Sequence, residues 1–340
     1  MLKITELETI LAITVSEIEF SGVIHVENRA GMIHASAHGY SNRSESIPNK
    51  LETRFGIASG CKLFTAIGIC QLVESGKLSF DSKLSSLLDH PFPHFHPDVT
   101  VHHLLTHSSG VPDYFDEEVM DDFEELWVEY PMYHMRKLED FLPLFQNLSM
   151  KFEPGEKFHY NNAGYILLGL IIEKVAGVPF TEYVKEQIFD AAEMSDSGYF
   201  SMDQLPGRTA LGYIDEEDGS WKTNSYSIPI KGGADGGAYV TAGDMARLWR
   251  ALMDGKLVSK EMLAKMTTAW IQTDNEKDWY GYGVWIEKEN DNVVKYHVMG
   301  YDPGVSFAAG YYPESDTIVV IPSNKERGPH KLMHLLEKYM

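Results

Sequence analysis

The sequence predicts an α/β + α architecture. An antiparallel sheet flanked by helices is built from both chain termini, and a mostly helical domain is inserted into it. Three observations predict it. Residues Phe20 to Asn42 alternate in polarity and break at Asn28 to Gly31, as a β-hairpin does. Roughly the last sixty residues carry the strand-like runs "YGYGVWIEKE", "VVKYHVMG", "VSFAAGYYP" and "TIVVIPSN". Between these ends the patterns are mainly helical. The implied division is 1–80 with 235–340 for the sheet domain and 81–234 for the insertion, with sites expected in the cleft between them.

The elements follow in order. "MLKITELETILAITVSEIEF" carries Glu6 and Glu8 where a secretory leader is positive, and no small-residue cleavage site follows. After the hairpin, "GIASGCKLFTAIGICQLV" (Gly56 to Val73) reads as a buried helix that stops near Gly76. "DYFDEEVMDDFEELWVEY" (Asp113 to Tyr130) is acidic, with Phe115, Met120, Phe123, Leu126 and Trp127 at helical spacing. It is expected as a solvated amphipathic helix, with a lid over the cleft as its functional alternative. "NNAGYILLGLIIEKVAG" (Asn161 to Gly177) is apolar nearly all round, hence a buried helix closing on glycine. "TAGDMARLWRALMDG" opens on Thr241 and Asp244 at capping-box spacing. An amphipathic helix from Pro329 to Met340 ends the chain.

Composition excludes several classes. With 29 Lys and Arg against 50 Asp and Glu in 340 residues, the formal charge is −21. That argues against nucleic acid and anionic membranes as partners. Cys61 and Cys70 are too far apart along one helix to bridge, so both read as buried structural thiols. The longest apolar runs fall well short of the ~20 residues that span a bilayer. A cytoplasmic protein is expected. The histidine-rich "HPFPHFHPDVTVHH" puts His94 and His96 on one strand face. It has neither an H-E-x-x-H motif nor a cysteine partner, and no metal or other cofactor is expected.

Chemistry concentrates on two stretches. Lys62 stands among Ile57, Ala58, Leu63, Phe64, Ile67 and Ile69, and burying an ammonium group is costly unless it is paired or neutralised. Ser59 lies one turn before it on the same helix face, in the only S-x-x-K of the chain. A serine hydroxyl needs an adjacent base to become a nucleophile. Lysines in apolar surroundings lose basicity, which makes a neutral amine available for that task. A serine near a helix N-terminus also lies near backbone N–H groups suited to an oxyanion. In "FHYNNAGY", Tyr160 offers a phenol as proton shuttle and Asn162 an amide for substrate and lysine alike; an ordinary helix entry is the plain alternative. An α/β-hydrolase elbow is absent: "GVSFA" around Ser306 lacks the second glycine of G-x-S-x-G.

These stretches together resemble the serine β-lactamase and penicillin-binding-protein-like superfamily, in its class C β-lactamase, family VIII esterase and D-aminopeptidase branch. The resemblance covers about residues 18 to 335 in the family's order. It rests on "TRFGIASGCKLFTA", "LLTHSSGVPDY", "FEPGEKFHYNNAGYILLG", "GGADGGAYVTAGDMARL" and "GYDPGVSFAAGYYPE". It implies Ser59 as acyl-accepting nucleophile, Lys62 as its base, Tyr160 as proton shuttle and Asn162 as substrate-facing donor. It further implies an oxyanion hole from the backbone N–H groups of Ser59 and of Tyr301, which follows the edge-strand glycine Gly300.

One motif departs from the family. K-T-G or H-x-G is expected on the edge strand, but alignment on Gly300 puts Val298 at the cationic position and His297 one residue early. A one-residue offset in a strand sends a side chain to the other face, so no cation is expected there unless a bulge re-aims His297. Without that cation, β-lactam or D-alanyl-peptide chemistry gives way to an ester, amide or small peptide substrate. Asn324, Lys325 and Arg327 are the remaining source of a carboxylate-binding charge, with solvated turn charges as the plain reading. A silent binding protein that retains the fold is the rival from another class.

Overall fold

Eight antiparallel strands form the central sheet of the computed structural model, which describes residues 2–120 and 122–340. They are β1 (Gly22–Asn28), β2 (Gly31–His38), β3 (Ile271–Gln272), β4 (Asp278–Tyr280), β5 (Trp285–Glu289), β6 (Asn292–Asp302), β7 (Val305–Tyr312) and β8 (Thr317–Ser323). Their order is β2-β1-β8-β7-β6-β5-β4-β3. β1 pairs with β8, with Gly22 opposite Ser323, so the first hairpin joins the C-terminal strands in one sheet. β8 is buried along its whole length because both sheet faces are covered, which is why "TIVVIPS" is a nearly continuous apolar run.

Helices α1 (Leu2–Glu17) and α5 (Pro329–Glu337) cover one face, where Leu11, Leu332 and Leu336 meet Ile24, Tyr312, Val319 and Ile321. The other face carries Phe307, Ala309, Ile318 and Val320 and packs on the helix Ala242–Met253 and on the turn Ala58–Cys61 that opens α2 (Lys62–Glu74). α2 is buried on nearly all sides. Gly68 lets it approach Ile172 of α3 (Asn162–Ala176): a Cβ there would stand 3.0 Å from Ile172 Cδ1. Asn161 caps α3 by accepting the Gly164 N–H at 2.6 Å, and Gly177 ends it in the left-handed region at φ 76°. α4 (Ala242–Met253) starts as expected, with Thr241 Oγ1 accepting the Asp244 N–H at 3.1 Å. Between α2 and α4 the chain forms α3 and several shorter helices, together with a small hairpin pairing Tyr213–Asp215 with Trp221–Thr223.

The acidic stretch from Asp113 to Tyr130 departs from the single amphipathic helix its spacing suggests. Among the described residues it holds only a 3-10 turn at Phe123–Glu125 and one α-turn at Leu126–Glu129. Its first residues are drawn inward by distant partners: Asp113 accepts N–H bonds from Asn162 and Ala163, and Tyr114 donates to Asp235. Asp116 and Glu118 pair with Lys151 and His159. One helix face cannot satisfy all of these, so the segment runs as an irregular flap. Among the described residues, no single helix is long and apolar enough to cross a membrane. Both thiols are free and buried, and burial pushes Cys61 up to about 12.

Candidate active site

Ser59 lies in a 3-10 turn, Ala58–Cys61, that leads directly into α2. Ala58 sits at φ 44°, a left-handed conformation unfavourable for a residue with a Cβ. The turn is held by Gly60 N–H donating to the Ile57 carbonyl at 2.8 Å and by the Gly237 N–H on the Ala58 carbonyl at 3.3 Å. Ser59 is partly exposed into a cavity of about 550 Å³.

Lys62 is 2 % exposed, and its Nζ reaches three oxygens. Ser59 Oγ is at 2.9 Å, Asn162 Oδ1 at 2.8 Å and the Asp235 carbonyl at 2.8 Å. The last two are acceptors only, and each holds one N–H of the amine. An amine with two protons would therefore turn its lone pair toward the Ser59 hydroxyl. Asn162 is fixed in its turn: its backbone N–H and Nδ2 both donate to Asp113 Oδ2, at 2.7 and 3.3 Å. Asp113 is buried and its pKa is raised to about 7 by that burial, against the N–H bonds it accepts.

Tyr160 brings its ring centroid within 4.8 Å of Lys62 Nζ. Burial first, and then the Glu117 carboxylate, raise its phenol well above the ordinary value, while the adjacent Ser59 hydroxyl works the other way. His107 packs against the ring at 4.5 Å, and the Trp285 indole stacks with it at 6.2 Å. Ser59, Lys62, Tyr160 and Asn162 thus converge, although a hundred residues of chain separate Lys62 from Asn162.

The edge strand completes the cluster. A Cβ on Gly300 would stand 2.9 Å from the Ser59 nitrogen and would overlap the Ile57 carbonyl oxygen, so only glycine permits this approach. Val298 pairs with Ala309 and Gly300 with Phe307, both on the α2 side of the sheet. His297 pairs with Gly310 and faces the other way, where Lys295, His330 and His334 act on it. No bulge interrupts its pairing with β7. Val298, not His297, therefore lies on the Ser59 side, buried in the core. The Tyr301 ring stacks on His330 of α5 at 5.4 Å, and the residue also lines the cavity.

The cavity wall is acidic. Seven of its lining residues are carboxylates, among them Glu117, Asp235, Asp302 and Glu326, against one lysine, Lys222. Lys222 is itself paired with Glu124 at 3.2 Å and Glu216 at 3.8 Å. Burial, with repulsion from Asp235, pushes Asp302 up to about 7, and Lys62 opposes this. Burial likewise raises Glu117. The end of β8 adds no cation to the cavity lining: Lys325 pairs with Asp215 at 2.8 Å, Asn324 is buried against Ser21 and the Tyr40 and Leu211 carbonyls, and Arg327 is exposed outside the lining. Of the histidine-rich stretch, His96 pairs with Glu153 at 3.4 Å. Asp116, Glu118 and His159 do lie close enough to share a cation, but the Lys151 ammonium already contacts all three.

His107, Asp113, Asp235 and Trp285 have places around the site that sequence spacing did not single out. His107 and Asp113 fall in "LLTHSSGVPDY", Asp235 in "GGADGGAYVTAGDMARL" and Trp285 in "YGYGVWIEKE", but none has a local periodicity that marks a role.

Known proteins match this chain over nearly its whole length. The family model described as Beta-lactamase matches residues 17–337. Penicillin-binding protein 4* of Bacillus subtilis is 30 % identical over 323 residues, covering 91 % of this chain and 69 % of that protein. The crystal structure of a penicillin binding protein from Bacillus halodurans is 56 % identical with a TM-score of 0.94, covering 97 % of this chain and 100 % of its own. The octameric penicillin-binding protein homologue from Pyrococcus abyssi is 31 % identical with a TM-score of 0.86, covering 98 % of this chain and 76 % of its own.

Proposed function

Since the chain belongs to the Beta-lactamase family, we propose that it is a serine hydrolase forming an acyl-enzyme on Ser59. The contact that carries this reading is Lys62 Nζ at 2.9 Å from Ser59 Oγ, with its other protons held by Asn162 and Asp235. Lys62 takes the hydroxyl proton as Ser59 Oγ attacks the acyl carbon. The N–H groups of Ser59 and Tyr301 receive the developing oxyanion. Tyr160 passes a proton to the leaving alkoxide or amine, and water then releases the acyl group by the reverse relay. A fluorophosphonate probe is expected to label one serine, mapped by mass spectrometry to Ser59, and to leave Ser59→Ala unlabelled. Labelling elsewhere, or equal labelling of that variant, overturns the assignment, and acylation without turnover would make the chain a binding protein.

The substrate class follows from the wall. With Val298 at the position of the family's cation and Lys222 already paired, a substrate carboxylate would meet only negative charge. An ester, amide or peptide bearing a protonated amine near the scissile carbonyl fits this cavity better than a β-lactam or a D-alanyl terminus. Asp302, next to Tyr301 in sequence, is the carboxylate we assign to that amine. A charge-assisted hydrogen bond contributes about 1.5–3 kcal/mol, so kcat/KM for a free-amine amino-acid p-nitroanilide should exceed that of its N-acetyl form by about tenfold or more. Asp302→Asn should shrink the ratio to a few-fold. Rapid nitrocefin turnover with negligible p-nitrophenyl acetate hydrolysis would reverse the order of substrates.

A further inference from the structure

His107 is bound to both neighbours of Tyr160 in the chain. Its backbone carbonyl accepts the His159 N–H at 2.8 Å, and its Nδ1 accepts the Asn161 N–H at 3.1 Å. Its ring lies against the Tyr160 ring at 4.5 Å and 37°, within a box completed by Tyr165 at 5.0 Å and Tyr280 at 4.7 Å. Three contacts from one residue thus fix the backbone before Tyr160, the backbone after it and one face of its ring.

Two further features mark the residue as specialised. His107 has φ 56°, a left-handed backbone that residues with a Cβ rarely adopt. Its side chain is 1 % exposed, and Nε2 is buried without a hydrogen-bond partner. An orphaned buried N–H is disfavoured, and a residue chosen only for packing would carry no such group. Because Nδ1 accepts a proton bond, the ring is the neutral tautomer with its hydrogen on Nε2. Burial acts first against a second proton, and any positive charge on the nearby Lys62 acts in the same direction. A charged ring would have to surrender the Asn161 bond, since Nδ1 would become a donor.

We propose that His107 is a positioning residue for the reaction: neutral and strained, it holds Tyr160 in register with Ser59 and Lys62 and acts only through that phenol. This rests on the acyl-enzyme reading above. The relay needs the phenol placed to within about an ångström, and misplacement on that scale costs on the order of 10²-fold in rate. Packing alone would hold the ring face but would leave the Asn161 amide without its acceptor.

The test is a double-mutant cycle on p-nitrophenyl acetate hydrolysis with thermal unfolding measured in parallel. His107→Ala should lower kcat about 10²-fold with KM changed less than threefold. In a Tyr160→Phe background the same change should cost less than threefold, because the phenol it serves is gone. His107→Asn places an amide oxygen where Nδ1 was and tolerates the left-handed backbone, so it should recover at least tenfold of the loss. An undiminished His107→Ala effect in the Tyr160→Phe background overturns the proposal, as does a folded His107→Ala with near-parental kcat. If His107→Ala does not fold, His107→Asn decides: a loss that persists in full beside Tyr160→Phe overturns it, and a loss that vanishes there supports it. Failure of the underlying reading looks different, because the parent protein itself would then leave Ser59 unlabelled by the fluorophosphonate.

Discussion

Lys62→Met is expected to lower kcat for ester hydrolysis by about 10³-fold, within the range for loss of a positioned general base. The same change leaves two buried oxygens, Asn162 Oδ1 and the Asp235 carbonyl, without the donor they now share. Each orphaned acceptor costs roughly 1–3 kcal/mol, partly offset by removing a desolvated amine, so the variant should fold with a lowered midpoint. Lys62→Arg separates the two roles the amine can have. A guanidinium keeps the charge and the donors but cannot give up a proton under these conditions. Were the charge alone responsible, arginine would retain activity within about tenfold. Were proton abstraction responsible, arginine would be as slow as methionine. Stopped-flow acylation of each variant, read as the burst of p-nitrophenol, decides between them. An arginine variant with near-parental burst rates would remove Lys62 from the base role and leave Ser59 in need of another.

The parts of this molecule that follow a local rule are legible in the sequence alone. β7, β8 and α3 are long, apolar and bounded by turn residues, so periodicity located them, and Gly177 ended α3 where a left-handed residue is needed. Ser59 and Lys62 were legible because they sit three apart on one helical face. Val298 and His297 were separable by the two-residue period of a strand, and the pairing with Ala309 and Gly310 puts them on opposite faces. The flap from Asp113 to Tyr130 was not legible. Its apolar spacing is helical, but the bonds that shape it reach Asp235, Lys151 and the first turn of α3, far away in sequence. No local pattern encodes such partners. His107 was hidden for the same reason: nothing beside it in sequence announces that it brackets Tyr160. The acidity of the cavity was visible only as a total charge, since composition cannot say which carboxylates share a wall.

Gly300→Ala is expected to be the most damaging single-methyl change near the site. The added carbon would stand 2.9 Å from the backbone nitrogens of both Ser59 and Gly60 and would overlap the Ile57 carbonyl. All three are backbone atoms, so no side chain can swing away to relieve the clash. Either β6 withdraws from the turn or the turn unwinds from α2. The second route breaks the Gly60 bond to Ile57 at 2.8 Å and further strains Ala58, already at φ 44°. Overpacking of this kind costs about 1–3 kcal/mol in stability, yet the effect on catalysis should be larger. Withdrawal of β6 moves the Tyr301 amide relative to Ser59, and loss of one oxyanion donor costs about 10²–10³-fold in kcat. Val298→Ala is the matched control, because it alters the same strand on the same face by removing atoms instead of adding one. It should lose stability through a cavity and keep kcat within a few-fold. A folded Gly300→Ala that acylates at the parental rate would mean that the oxyanion is not held between this strand and this turn. The close approach that excludes every side chain but hydrogen would then serve packing alone.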